Sequence, residues 1–136
     1  MTMSYFLKLN SVSLLYGLMF FLSMELQVNY YRMLRLTGWE GGFLDIFLLL
    51  VQLVGLIVAT MFMYKLVTAW LGHSRFVYGT MILWLPYTVI FTMVFARLFP
   101  IENRGDMPAP VQGLILLVML VGYPLYIWMI SIVGRT

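Results

Sequence analysis

Hydrophobic residues are gathered into four long runs along the chain, at positions 9–31, 43–64, 76–96 and 111–132, with polar segments between them. Each run has about the 20 residues that an α-helix needs to cross a hydrocarbon core of about 30 Å. The pattern predicts an all-α integral membrane protein, a bundle of four transmembrane helices joined by short loops. Since most of the chain lies inside these runs, we expect residues 1–136 to form a single transmembrane domain.

The composition agrees with this pattern. Hydrophobic residues make up 63% of the chain and charged residues only 10%, and the mean hydropathy is +0.98. Soluble domains carry about 25% charged residues, so the class of soluble globular proteins is excluded. The net charge is +3, but the basic residues occur singly near helix ends. Membrane topology accounts for them there, and we expect no nucleic-acid partner.

Cysteine and histidine, the usual ligands of zinc, haem iron and iron–sulfur clusters, are nearly missing from the sequence. The chain contains no cysteine and a single histidine, His73. Thiolate metal sites, iron–sulfur clusters and paired-histidine haem sites are therefore excluded. We expect His73 to be an ordinary loop residue and predict no metal site. No residue predicts a cofactor either, although bound lipid or quinone could lie against so apolar a surface.

The charges give a weak indication of orientation. Four crossings place both termini and the second connection on one side of the membrane. The cations are divided equally between the two sides, Lys8, Lys65, Arg75 and Arg135 against Arg32, Arg35, Arg97 and Arg104. The positive-inside rule therefore ties. The five carboxylates all lie on the side away from the termini: Glu25, Glu40, Asp45, Glu102 and Asp106. This favours cytoplasmic termini, and dual topology stays open.

Glu25 is the main candidate site residue. If positions 9–31 are embedded, Glu25 lies about 9 Å inside the boundary, where a carboxylate needs a partner, a wet cavity or a proton. Asn29 follows at i+4, and alternating crossings bring Asp45 and Arg97 to the same membrane side. Gln52 lies about 10 Å deeper, on the same helix face as Asp45. The sequence therefore predicts an intramembrane polar cluster of these five residues.

A purely structural interpretation of the same residues competes with this one. Asp45 lies in the first turn of its helix, where a carboxylate stabilises the helix dipole. Arg97 lies in the last turn of its helix, and its side chain can extend to the lipid headgroups. Glu25 would then form one stabilising ion pair. For Asp45 and Arg97 the structural interpretation is favoured, and for Glu25 the two are balanced.

Small residues at four-residue spacing predict where helices approach each other closely. The first run contains Gly17, the second Gly55 and Ala59, and the third Thr88 and Thr92. The short connection between the second and third runs also predicts that these two helices pack as antiparallel neighbours.

The function predicted from these features is that of a small accessory subunit of a membrane complex. We find no nucleophile–base pair, no phosphate-binding glycine loop and no dinucleotide motif, so we expect no enzymatic activity. The helices are apolar on all sides, and the loops are too short to bind a ligand alone. We therefore expect a non-catalytic integral membrane subunit that packs on and stabilises a larger complex, in contact with lipid.

The alternative is a small oligomeric transporter or channel that uses Glu25 as a proton-coupled or cation-coupled site. A four-helix chain with an acid in its first helix and balanced cations resembles the small multidrug resistance transporters in these two properties. That resemblance implies a homo-oligomer with dual topology. This chain is longer, and Glu25 lies off the centre of its helix, so no family membership is inferred.

Overall fold

The computed structural model describes residues 2–72, 74–102, 104–108 and 110–135. Within these ranges the chain is almost entirely helical and contains no β-strand. Its α-helices, in chain order, are α1 (Met3–Val28), α2 (Tyr30–Thr37), α3 (Gly41–Leu66), α4 (Thr80–Leu98) and α5 (Pro110–Arg135). The prediction of an all-α protein is confirmed.

Four helical segments are long and apolar enough to cross a membrane: Met3–Val28, Gly41–Leu71, Arg75–Leu98 and Pro110–Gly134. The second contains α3 and a π-helical turn at Val67–Leu71, and the third begins with a 3-10 turn at Arg75–Gly79. These segments coincide with the four apolar runs of the sequence. The chain is therefore a four-helix, multi-pass membrane protein.

The first span differs from the predicted 9–31 at both ends. α1 already begins at Met3, because the Thr2 hydroxyl accepts a hydrogen bond from the Tyr5 amide and caps the helix. It ends at Val28, because Asn29 leaves helical geometry and its side-chain amide bonds back to the Glu25 carbonyl. α2 then continues as a separate short helix to Gly38, which has a positive φ of 67°.

α1 lies at the centre of the bundle. Six of its residues are buried, against three in the equally long α3 and three in α4. Its buried residues Val12, Tyr16 and Phe20 are spaced by four and contact the core from one face of the helix. Phe20 packs on Trp84 of α4 and on Tyr123 of α5, with ring centroids 4.9 and 5.0 Å apart. The core is therefore formed chiefly by α1, α4 and α5.

The second and third spans are not packed against each other as the short connection predicted. In the described residues, α4 packs chiefly on α1, whereas α3 contacts α1 and α5. The π-helical turn Val67–Leu71 contacts both α1 and α5, and Gly134 of α5 lies against Val67. Because this turn and the 3-10 turn after it carry the chain past α1 and α5, α4 begins away from α3.

Long-range hydrogen bonds identify which helix ends share a side of the membrane. Arg32 of α2 donates to the Phe99 carbonyl at the end of α4, at 3.1 Å. Thr68 donates to the Gly134 carbonyl at the end of α5, at 3.4 Å. α1 and α4 therefore run parallel to each other and antiparallel to α3 and α5. Which of the two sides is cytoplasmic stays a prediction.

Candidate functional site

A large cavity separates α3 from the wall that α1 and α5 form. Its volume is about 1020 Å³, and it is partly open to the outside of the bundle. The apolar residues that line it include Leu48, Leu49, Leu53, Leu56, Ile115 and Met119. Its polar lining residues are Ser23, Gln27, Tyr30, Tyr31, Asp45, Gln52, Gln112, Tyr123 and Tyr126. The cavity is thus an apolar space with polar groups at defined positions on its walls.

Hydrogen bonds connect α3 to the rest of the bundle at both ends of the cavity and between them. At the end where α1 meets α2, the Tyr30 hydroxyl donates to Asp45 Oδ1 at 2.5 Å.

Two helical turns further along α3 from Asp45, the Ser23 hydroxyl donates to Gln52 Oε1 at 2.6 Å, and Gln52 Nε2 donates to the Ser23 carbonyl at 3.2 Å. At the other end of the cavity, the hydroxyls of Thr60 and Tyr126 share a hydrogen bond at 2.5 Å. Since α3 rises 1.5 Å per residue, Asp45 and Thr60 lie about 22 Å apart along it. Polar pairs therefore connect α3 to its neighbours at the level of the cavity, where close apolar packing is missing.

The hydrogen bond between Tyr30 and Asp45 changes the pKa of Tyr30. The hydrogen bond to Asp45, together with partial burial and the negative charge of that carboxylate, raises the pKa of Tyr30 to about 12. The cause is that the phenol must lose its donated proton next to an anion. Tyr30 therefore stays neutral and acts as a donor at physiological pH, and it occupies one oxygen of Asp45.

Glu25 lies off the cavity. Its carboxylate Oε2 accepts a hydrogen bond from Asn29 Nδ2 at 2.7 Å. Because α1 ends at Val28, Glu25 is three residues from the end of the first span, whereas the apolar run placed it six residues from the end. Ser23, two residues earlier, lines the cavity, and residues two apart lie on opposite faces of a helix. Glu25 and Asn29 therefore form a local pair at the α1–α2 junction.

The predicted polar cluster is thus divided between two places. Glu25 and Asn29 bond to each other, whereas Asp45 and Gln52 line the cavity and bond to α1 and to the start of α2. Arg97 is exposed in the last turn of α4. The partners that sequence reasoning missed are Ser23 and Tyr30. The sequence did contain a signal for them, because Ser23, Gln27 and Tyr30 follow each other at i, i+4 and i+7, the spacing of polar residues on one helix face.

Among the predicted packing residues, Gly17 and Thr88 meet. The Thr88 hydroxyl donates to the Gly17 carbonyl at 3.0 Å, and an added Cβ on Gly17 would lie 2.9 Å from the Trp84 carbonyl oxygen. Thr92 is partly buried, and its hydroxyl has no hydrogen-bond partner among the described residues. The other predicted pair, Gly55 and Ala59, lines the cavity, and an added Cβ on Gly55 would meet no atom within 4 Å.

In the part of the chain that the structure describes, no three acidic or histidine side chains lie close enough together to hold a metal ion. His73, expected to be an ordinary loop residue, lies outside the described residues.

Comparisons of the chain with protein-family models, with curated proteins and with solved structures find no match. Its function is therefore inferred from the chemistry and packing of the chain itself.

Proposed function

We propose that this chain is a non-catalytic integral membrane subunit that packs on and stabilises a larger membrane protein, with α3 as its docking helix. The observation that carries the proposal is the separation of α3 from α1 and α5 by the cavity. In a self-sufficient bundle, each helix packs along its length on its neighbours at the density of a protein interior. Because α3 does not, we infer that a second protein supports it.

The burial of α3 supports this proposal. Of its 26 residues, only Leu44, Leu48 and Met63 are buried. α4 also exposes much of its surface, but it contacts α1 along its length, from the Asn10–Tyr87 hydrogen bond to the Phe21–Phe95 ring contact. α3 is thus the span with the least support from its own chain.

The side of α3 away from the cavity offers a continuous apolar surface. We define the outer face of α3 by four residues at helical spacing, each more than half exposed: Leu50, Val54, Ile57 and Met61. None of the four lines the cavity. A transmembrane helix of the larger partner packing on this face would hold α3 from the outside.

The polar groups support a structural role for this chain. Catalysis by acid–base or nucleophilic groups requires several of them to converge on one point. Here several polar side chains of the spans and of the segments beside them are engaged in separate pairs, such as Glu25 with Asn29 and Thr60 with Tyr126. These pairs connect helices or stabilise helix ends.

The proposal is tested by the size of the complex that the tagged chain forms in its own membrane. After extraction in mild detergent, we expect the chain to migrate with one larger membrane protein in a constant molar ratio. Ile57→Trp adds bulk to the outer face of α3 and should release the chain from that complex. Met93→Trp is the matched control, because Met93 is also more than half exposed but lies on α4. It should leave the complex intact.

Two results would overturn the proposal. One is a wild-type chain that migrates alone or only with copies of itself. The other is a complex that Ile57→Trp and Met93→Trp disturb equally, since the outer face of α3 would then not be the docking surface. Circular dichroism of both variants checks that the helices remain folded.

A further inference from the structure

The cavity behind α3 has the size and shape of a ligand site. Small-molecule sites enclose about 300–1,000 Å³, are lined mainly by apolar side chains and carry a few polar groups that orient the ligand. At about 1020 Å³ this cavity is slightly larger than the upper end of that range, and its lining is mainly apolar. A space this large and apolar in a membrane protein suits a molecule that is itself soluble in the bilayer.

Polar groups are concentrated at one end of the cavity. Gln27, Tyr30 and Asp45 line it where α1 passes into α2, near the membrane boundary. Toward the other end lie Tyr123 and Tyr126, whose hydroxyls are already bonded to the Tyr16 carbonyl and to Thr60. These two hydroxyls are therefore already engaged by the protein itself. The walls therefore change from polar to apolar along the cavity, which fits a ligand with one polar head and a long apolar tail.

The charge of the lining selects the type of head. Asp45 is the one carboxylate among the described lining residues, and none of them is lysine, arginine or histidine. An anionic head would meet the Asp45 carboxylate with no lysine, arginine or histidine among the described lining residues to balance the two charges, and like charges repel. A hydroxyl or an ammonium group can instead donate to Asp45. A carboxylate can accept several hydrogen bonds, and Tyr30 donates one to Asp45.

Small residues give the tail its room. An added Cβ on Gly55 of α3 or on Gly122 of α5 would meet no heavy atom within 4 Å, and both residues line the cavity. Ala59 continues this wall one turn beyond Gly55. From Asp45 to Ala59 the lined length along α3 is about 21 Å, enough for an extended acyl or isoprenoid chain.

We propose that this cavity binds a membrane-soluble amphiphile with a hydroxyl or ammonium head at Asp45 and a single long apolar tail beside Gly55. The inference goes beyond the docking of α3 on a partner, because it concerns the inner side of α3 and not its outer face. It can therefore be tested on the purified chain alone.

The test compares three probes that share one tail and differ only in the head: oleyl alcohol, oleylamine and oleate. The purified full chain is reconstituted in phosphatidylcholine nanodiscs that contain a small fraction of one probe. Native mass spectrometry then measures the fraction of protein that retains the probe. We expect the alcohol and the amine to be retained at least about tenfold more than oleate, the ratio that one hydrogen bond to a charged group can produce.

Two substitutions assign the binding to this cavity. Asp45→Asn should reduce retention of the amine by about tenfold, because the ammonium loses its charged acceptor. Gly55→Phe puts a ring into the space of the tail and should reduce retention of both the alcohol and the amine. Gly113→Phe is its matched control, since an added Cβ there also meets nothing within 4 Å but Gly113 lies outside this cavity.

The proposal is overturned if oleate is retained as well as the other two probes, since the head would then not be selected. It is also overturned if Gly55→Phe binds the probes as well as Gly113→Phe does. Should Gly55→Phe fail to fold, Asp45→Asn decides alone, because unchanged amine retention in that variant contradicts the assigned head site. The outcome is independent of whether a larger partner exists, so the two proposals can fail separately.

Discussion

The Thr88 hydroxyl of α4 donates a hydrogen bond to the Gly17 carbonyl of α1 at a point where the two backbones are in near contact. An added Cβ on Gly17 would lie 2.9 Å from the Trp84 carbonyl oxygen and 3.1 Å from the Thr88 amide nitrogen. Small residues allow this approach, and in a membrane such packing and interhelical hydrogen bonding hold helices together. α1 and α4 are therefore tightly packed at this point.

Gly17→Ala should destabilise the protein by about 1–3 kcal/mol, because backbone atoms must move apart to admit the methyl group. The measurement is the free energy of unfolding in mixed micelles, followed by circular dichroism. Gly55→Ala is the control, since its new methyl group meets no atom within 4 Å. That variant should be as stable as the wild type or slightly more stable, because alanine favours helix. Equal stability of the two variants would contradict this description of the contact.

Two neighbouring tyrosines of the core should respond to loss of the hydroxyl with opposite signs. The Tyr16 hydroxyl is buried and has no hydrogen-bond partner among the described residues, whereas the Tyr123 hydroxyl donates to the Tyr16 carbonyl at 2.6 Å. Tyr16→Phe removes an unsatisfied polar group and should raise the free energy of unfolding by up to about 1 kcal/mol. Tyr123→Phe removes a hydrogen bond and should lower it by about 0.5–1.5 kcal/mol. Unfolding curves of the two variants and the wild type, measured under the same conditions, test both expectations. A destabilised Tyr16→Phe variant would show that the Tyr16 hydroxyl does have a hydrogen-bond partner.

Tyr30 should titrate at higher pH than an ordinary tyrosine. Its hydrogen bond to Asp45 raises its pKa to about 12. The difference in near-ultraviolet tyrosinate absorbance between wild type and Tyr30→Phe isolates this titration from those of the other tyrosines. Asp45→Asn should move the pKa of Tyr30 back toward the usual value of about 10.

The same shift has a defined effect on stability. The folded protein holds the Tyr30 proton more tightly than the unfolded chain does, so the protonated hydroxyl contributes to the free energy of unfolding. This contribution is fully present below about pH 10. It is lost as the pH rises from about 10 to about 12, and the loss should be missing in Tyr30→Phe. A Tyr30 pKa that is unchanged in Asp45→Asn would show that the pair does not form.

Glu25 and Asn29 should be energetically coupled. Asn29→Ala removes the Nδ2 donor from the Glu25 carboxylate and should cost about 1.5–3 kcal/mol, the range for hydrogen bonds to charged groups. In a Glu25→Gln background, Asn29→Ala should lower the free energy of unfolding by less. The hydrogen bond that it removes is then made to a neutral amide oxygen and not to a charged carboxylate. A double-mutant cycle of unfolding free energies measures this coupling, and additive effects would exclude it.

The spans could be predicted from the sequence because their length and apolarity are set by the bilayer, whatever the tertiary structure. The end of the first span could not be placed, since it depends on the side-chain amide of Asn29 bonding back to the Glu25 carbonyl. The path between the second and third spans was also missed. A short connection limits the distance between helix ends, but it does not require the helices to pack along their length.

The candidate site shows a similar division. The sequence identified Asp45 and Gln52 as polar residues on one face of α3, and both line the cavity. The prediction grouped Asp45 and Gln52 with Glu25 and Arg97, because the order of the crossings shows only which side of the membrane a residue lies on. The rotation of α1, which turns Ser23 to the cavity and Glu25 away, depends on packing against α4 and α5. The cavity itself depends on the distance between helices, and no local pattern encodes that distance.

The most direct test of the proposed subunit function is site-specific photo-crosslinking along α3 in the native membrane. A photoreactive amino acid is placed in turn at Leu50, Val54, Ile57 and Met61 of the outer face, and at Gly55 and Ala59 of the cavity wall. The proposal predicts that the four outer positions crosslink to the same larger membrane protein and that the two cavity positions do not. Crosslinks from the outer positions only to lipid, or equally from both sets, would contradict it.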